Sequence, residues 1–562
     1  MRTRTLLPRL TILMVFLLLL AACGGGGQPS GSAPAAPSGG QVAAPTAASG
    51  QAAAPTAASG GQAGGSTASA NVDANGKFKT PQTIEVMATV RSSELAPPGS
   101  DWIVAKAVKD QLNIDLKMTW VTQSNEYDRL LQTRAAANDL PDVFLASPSV
   151  VSNLAPQGLL ADWTPYLKFM PTFVTDREVE KLKPIGTFDG KLLALVTKTP
   201  DPYKQSVMIR KDWLDKLGLQ VPKTLDDYMT VMKAFTEKDP DGNGQKDTFG
   251  WSAAVDTATG RLLRFNPIFG AFGAEFDTNY PWRVDNNKLV YVPTSNERKE
   301  ALQFIAQMNA AGVIDADWKA QKDEDFRNKW KAGKIGIWME DWCAGFCSGN
   351  HDPFAKANPT GRTIDIDPPV GPGGKSAVSF WTRLNAARFG MSQRASQAGK
   401  GEAIARFMEW LNGPGYLLTT FGEEGKMWKR EGDKIIVDQA NDYRIVRALS
   451  AWSVKGSEEE LRSRYDQTTT YPNGEVISVW DILQRAQKIA KVDTTDLAVL
   501  PPAPAAQAAD ITRLQAEGEF AFVTGQRPFS QWDAYVQSLK AAGVDAWQQA
   551  AEAKAKEAGL IK

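Results

Sequence analysis

Histidine and cysteine are nearly absent from this chain. Among 562 residues there is one histidine, His351, and there are three cysteines, Cys23, Cys343 and Cys347. Ser-His-Asp or Cys-His catalysis would have to use His351, and HExxH zinc chemistry, which needs two histidines, is excluded. Net charge is absent as well. The 63 Lys and Arg balance 63 Asp and Glu, so there is no basic field to attract nucleic acid. Beyond the N-terminal segment, no apolar run reaches the roughly 18–20 residues that a membrane-crossing helix needs.

The N-terminus carries a signal. Arg2, Arg4 and Arg9 lead into an apolar run at 10–20, interrupted by Thr11 and followed by Ala21 and Ala22. The pattern is that of a cleaved segment, and the run is too short to cross ~30 Å of hydrocarbon. Leu20-Ala21-Ala22-Cys23 resembles the lipobox of bacterial lipoproteins. The resemblance implies removal of 1–22, lipidation of Cys23 and membrane anchoring by acyl chains, each buried CH2 contributing ~0.8 kcal/mol. From 23 to 79 a tether is expected. It is rich in Gly, Ala, Pro and Ser, and Ala-Ala-Pro-Thr-Ala-Ala-Ser-Gly occurs at 43–50 and again at 53–60. Such a composition buries too little surface to offset its chain entropy, and about 50 flexible residues reach roughly 35–45 Å.

The foldable part is too long for one hydrophobic core, so two lobes are expected. Residues 82–90 alternate and are β-rich, 101–112 have helical spacing, 114–121 read as a strand, 127–138 as a helix and 140–144 as a strand. Strand, helix, strand, helix, strand is the pattern of a parallel α/β lobe. Thr224 with Asp227 reads as a helix N-cap, and the helix from Glu402 stops at Gly413-Pro414.

The segment from Tyr127 through Asp139-Leu140-Pro141-Asp142-Val143-Phe144 resembles extracellular solute-binding proteins of carbohydrate ABC importers. Further matches follow in order: Phe188-Asp189-Gly190, Trp213 with Gly218, Pro222-Lys223-Thr224, Trp330 with Gly333 and Gly336, Phe421 with Gly425, and Trp532 with Tyr535. The resemblance covers roughly 80–560 and is strongest to lipoprotein-type, oligosaccharide-binding members. It implies an α/β, two-lobed periplasmic-binding-protein fold of type II, with central mixed β-sheets flanked by helices and a cleft between lobes. The family's crossing pattern puts lobe 1 at 80–200 with a return at 376–412, and lobe 2 at 201–375 with a return at 413–562. It implies a carbohydrate ligand, ABC permease and ATPase partners, a monomer, and no catalysis.

Residues 239–247 form the sharpest chemical motif. Asp239, Asp241, Asn243 and Asp247 stand at loop positions 1, 3, 5 and 9, Gly244 at position 6, and Gln245 offers its carbonyl at position 7. These are hard oxygen donors in an EF-hand-like order, suited to Ca2+. Position 12 is Gly250, so the bidentate Glu is missing and another residue or water must complete the site. A structural ion is expected, and a bare Asp/Gly turn is the alternative.

A sugar site needs aromatic platforms and planar polar partners. Trp338, Glu340, Asp341 and Trp342 follow the strand-like 334–337, and α/β lobes bind ligands beyond the carboxyl ends of strands. Cys343 and Cys347 are expected to pair in an oxidising compartment and stiffen that loop; free or metal-linked thiols remain alternatives. Further candidates are Trp381 and Arg383 after a strand expected near Ala377, Trp428, Tyr203 and Arg91. Trp338 and Trp342 simply packing in the core is the competing reading.

Two other functions compete. A secreted glycoside hydrolase needs only two carboxylates, which no sequence with 63 Asp and Glu can exclude. Gly374-Lys375-Ser376 is no phosphate loop, because Pro369 stands where a glycine is required, and no GxSxG elbow exists. A surface adhesin or scaffold would show repeats or sandwich spacing, which occur nowhere outside the tether.

Overall fold

The structure is a computed structural model. It describes residues 71–562 apart from 90–96, 122–123, 198–204, 257–259, 276–280, 379, 382–387, 433, 438–445, 454–457, 472–473, 490, 493–499 and 505. The signal, Cys23 and most of the expected tether lie outside the described residues.

Two mixed sheets organise the unit Ala68–Lys562. The first runs in the order Ile114–Val121, Gln82–Thr89, Val143–Ala146, Arg388–Met391, Ala194–Leu195. Gln82–Thr89 is parallel to both neighbours, with Gln82 opposite Ile114 and Val86 opposite Val143. Arg388–Met391 is antiparallel to both of its own. The period of two explains the burial: Ile84, Val86 and Ala88 enter one core, while Met87 enters another on the opposite face. Helix Ile103–Leu112 ends at Asn113, which takes the left-handed conformation at φ 58° and starts the next strand.

The second sheet runs Thr363–Ile366, Gln205–Arg210, Ile335–Asp341, Phe249–Trp251. Ile335–Asp341 is antiparallel to Gln205–Arg210 and parallel to Phe249–Trp251. It is buried on both faces, with Ile337 and Met339 in one core and Trp338 in another. Helix Leu225–Glu237 carries the expected cap as a full capping box between Thr224 and Asp227. The C-terminal helices Ala508–Thr524, Trp532–Leu539 and Asp545–Glu557 put Phe522, Tyr535 and Trp547 into the large core of the second sheet.

The chain leaves the first sheet after Leu195, enters the second at Gln205 and re-enters the first at Arg388. Three expectations need correction. The tether does not run free to 79, because Val72 and Phe78 bridge each other and are buried in the first lobe's core. The segment after 412 stays with the second lobe only in part, from Leu461 onward. Ala448, Leu449 and Trp452 pack in the first core, where Trp452 meets Phe389 edge-on at 5.2 Å. No strand forms at Ala377, which is buried; the strand is Phe380–Trp381 itself, parallel to Lys491–Val492.

Candidate functional site

Strand direction brings the ends that matter to one edge in each sheet. In the first, Gln82–Thr89, Ile114–Val121 and Val143–Ala146 all finish together, and Arg388 begins there opposite Ala146. In the second, Asp341 finishes opposite Gln205, where the incoming chain begins. Both crossings run between these two edges, and in α/β lobes the ligand crevice lies beyond the carboxyl ends of strands.

At the second edge the described polar groups include Gln205, Asn266 and Asp341. Asn266 Nδ2 donates to Gln205 Oε1 at 3.3 Å, and Asp341 is exposed. At the first edge Ser147 caps helix Pro148–Leu154, accepting from the Val150 amide at 3.4 Å. Gln205 and Asn266 were missed in the sequence. Gln205 opens a strand with no motif of its own, and Asn266-Pro267 reads only as a helix start.

The expected cluster divides. Trp338 is fully buried and stacks on Trp330, with ring centroids 5.3 Å apart and planes at 12°. Its faces are taken by protein, so it packs instead of offering a platform. Trp342 is buried too, edge-on to Tyr465 at 4.7 Å. Glu340 is buried between two guanidiniums, Arg264 Nη1 at 2.7 Å and Arg327 Nε at 2.9 Å. Burial alone would push this carboxyl up; the Arg264 and Arg327 charges overcome it and hold the pKa below the usual carboxylate range. Its lone pairs are committed inside the lobe. Of the four residues, only Asp341 faces outward at the sheet edge.

Trp428 is buried as well, and its indole N–H donates to the Gly422 carbonyl at 2.8 Å. One margin of it lines a hollow of about 300 Å3 with Gly425, Lys426, Lys429 and Ile436. Trp381 lies on strand Phe380–Trp381 in the return crossing. Arg91, Tyr203 and Arg383 lie outside the described residues. Cys343 and Cys347 form a disulfide with Cα atoms 5.3 Å apart, directly after Trp342.

The acidic loop at 239–247 is wound on itself. Asp239 takes φ 45° and accepts the amides of Gly242, Asn243 and Gly244 at 3.0, 3.2 and 3.0 Å. Asn243 Nδ2 donates to Asp241 at 2.9 Å and to Asp247 at 3.2 Å. Burial pushes the Asp241 carboxyl up, and its hydrogen bond with Asp239 adds to this. Two carboxyls held against each other are the arrangement a hard cation relieves, and the donors are the oxygen types Ca2+ takes. Even so, among the described residues no three His, Cys, Asp or Glu side chains are gathered as a ready metal cluster. Among the described residues, too, no helix is long and apolar enough to cross a membrane.

Residues 96–417 match the model of a family described as bacterial extracellular solute-binding protein. The chain belongs to this family. Its members bind solutes instead of transforming them, and they work outside the cytoplasm, at the cell surface or in the periplasm. Polygalacturonan/rhamnogalacturonan-binding protein YtcQ of Bacillus subtilis is 27% identical over 382 residues, 65% of this chain and 73% of YtcQ. Among solved structures, the Streptococcus pneumoniae substrate-binding protein FusA with kestose shares the fold at a TM-score of 0.64 and 17% identity, covering 85% of this chain and all of FusA (100%). FusA has also been solved as an EF-hand mutant. Alginate-binding protein AlgQ2 without calcium ion aligns at a TM-score of 0.62 and 18% identity, over 86% of this chain and 99% of that one. This likeness confirms the two-lobed α/β fold of an extracellular solute-binding protein.

Proposed function

We propose that the chain is the lipid-anchored substrate-binding protein of an ABC importer, capturing a carbohydrate of several sugar units and delivering it to a permease. The observation that carries this reading is that the chain passes between the two sheets at their strand-end edges, from Leu195 to Gln205 and from Ile366 to Arg388, in a family whose relatives are named for polygalacturonan, rhamnogalacturonan and fructooligosaccharide binding. Ligand would favour a closed arrangement of the lobes by its greater affinity for that state. ATP hydrolysis would belong to separate subunits, and the captured sugar would leave unchanged.

Contacts are proposed for Asp341, Gln205 and Asn266 at the second edge, with Trp381, Arg383, Tyr203 and Arg91 supplied by the crossing segments and the first edge. Trp338 and Glu340 are assigned to the lobe interior. Cys23 would hold the acyl chains, and the tether would let the domain meet its membrane partners. The loop at 239–247 would hold a structural Ca2+ through Asp239, Asp241, Asn243, Asp247 and the Gln245 carbonyl. A named EF-hand mutant and a named calcium-free form among the neighbours support that reading.

A thermal-shift screen of the unit from residue 68 against oligosaccharides tests the function. A native-state ligand at ~100 times its Kd adds about 2.7 kcal/mol, so one sugar class should raise the Tm and be recovered intact. Cleavage of the sugar would favour a glycoside hydrolase.

A further inference from the structure

The strand register that builds the second sheet also delivers a lysine to the acidic loop. The loop ends at Asp247 and the chain enters strand Phe249–Trp251, whose neighbour is Ile335–Asp341. The Phe249 amide donates to the Lys334 carbonyl at 2.9 Å. Lys334 is thereby fixed beside the loop, and its ammonium lies 2.5 Å from Asp247 Oδ2 and 3.8 Å from Asp241 Oδ2. A second lysine, Lys216, donates to the Pro240 carbonyl at 2.8 Å.

Positions 12 and 10 of the loop supply no carboxylate. At position 12, a Cβ on Gly250 would come within 2.5 Å of Met232 Cα. At position 10, the Thr248 hydroxyl is buried and donates to the Phe235 carbonyl at 2.9 Å. Three aspartates therefore share a loop with no bidentate glutamate, and a fixed ammonium stands on two of them.

We propose that Lys334 is the built-in counter-cation of this loop, holding Asp247 and Asp241 when calcium is absent and competing with the ion for them when it is present. The competition rests on the calcium reading given above; the counter-cation role does not. A single positive charge within about 4–6 Å of a divalent ion at a partly exposed site changes its affinity by about tenfold or more.

The test compares the wild-type unit from residue 68 with Lys334→Met, which keeps the stem and removes the charge, and with Lys334→Arg, which keeps the charge. Calcium chloride is the probe, titrated calorimetrically after chelator treatment, and Tm is read in chelator and in calcium. Lys334→Met should lose about 1–3 °C of Tm in chelator, bind calcium about tenfold more tightly and recover the lost Tm once calcium is added. Lys334→Arg should behave as wild type. Unchanged calcium affinity in Lys334→Met overturns the competition, and an unchanged Tm in chelator overturns the counter-cation role. If no protein binds calcium, the calcium reading and the competition fail together. The counter-cation role is then decided by the chelator arm, where Lys334→Met combined with Asp247→Asn must cost less than the sum of the two single changes.

Discussion

Trp338 lies flat against Trp330, with ring centroids 5.3 Å apart and planes 12° apart. The pair joins a strand that ends at the candidate ligand edge to helix Asp323–Lys331 on the outside of the sheet. Trp338→Ala opens a cavity in the core that Trp338 shares with Trp330, Phe326 and Phe354. Such a change costs about 3–5 kcal/mol, to be measured by denaturant unfolding. A stability loss with sugar affinity intact in the surviving folded protein is the expected pattern; lost affinity at full stability would return Trp338 to the ligand.

Glu340 makes an acid prediction. Its folded pKa lies below the unfolded value near 4.3. Its contribution to stability is therefore full above that unfolded value and is lost as pH falls through the folded value. Glu340→Gln removes the charge while leaving Arg264 buried, and breaking a buried pair in this way costs about 3–5 kcal/mol. Unfolding free energy against pH from 7 down to about 2 should show a shallower acid decline in the variant.

His351 makes a pH prediction of the same sign in a higher window, because folding depresses its pKa too. Burial pushes its pKa below the usual imidazole range, and Asp352, 3.6 Å from Nδ1, recovers only part. Nε2 is buried without a partner, and the ring meets Tyr471 edge-on at 5.2 Å. The unfolded chain takes the proton first, near pH 6.5. Stability is full above that pH, falls as pH drops from there toward the folded pKa, and levels off beneath it. His351→Phe keeps the ring contact and should flatten Tm against pH in the mildly acidic range.

Asp341 separates ligand contact from packing. It is exposed at the strand end opposite Gln205. Asp341→Ala should lower sugar affinity about tenfold, as expected for a lost hydrogen bond to a charged acceptor, with the Tm of the ligand-free protein changed little. Equal affinity in variant and wild type would remove Asp341 from the site.

Much of the architecture was legible because it is local. Alternation marked the strand Gln82–Thr89, the strand-helix order marked Ile114–Val121, and Thr224 with Asp227 marked a helix start that the structure completes as a capping box. The interior of the second lobe was not legible in the same way. Ile335–Asp341 is buried on both faces, so alternation carries no information about which side chain faces ligand and which faces core. The partners that claim Glu340 are remote in sequence, Arg264 most of all. Trp452 sits in the short helix Ser450–Ser453, too brief to show a periodic face, and it packs in the lobe opposite to the one expected.

Titration calorimetry on the unit from residue 68, with the sugar class found by thermal shift, tests the central claim most directly. The account predicts one site per chain, saturable binding, a negative heat-capacity change and sugar recovered unaltered. Absence of binding to every oligosaccharide offered, or steady conversion of the sugar during the titration, would contradict it.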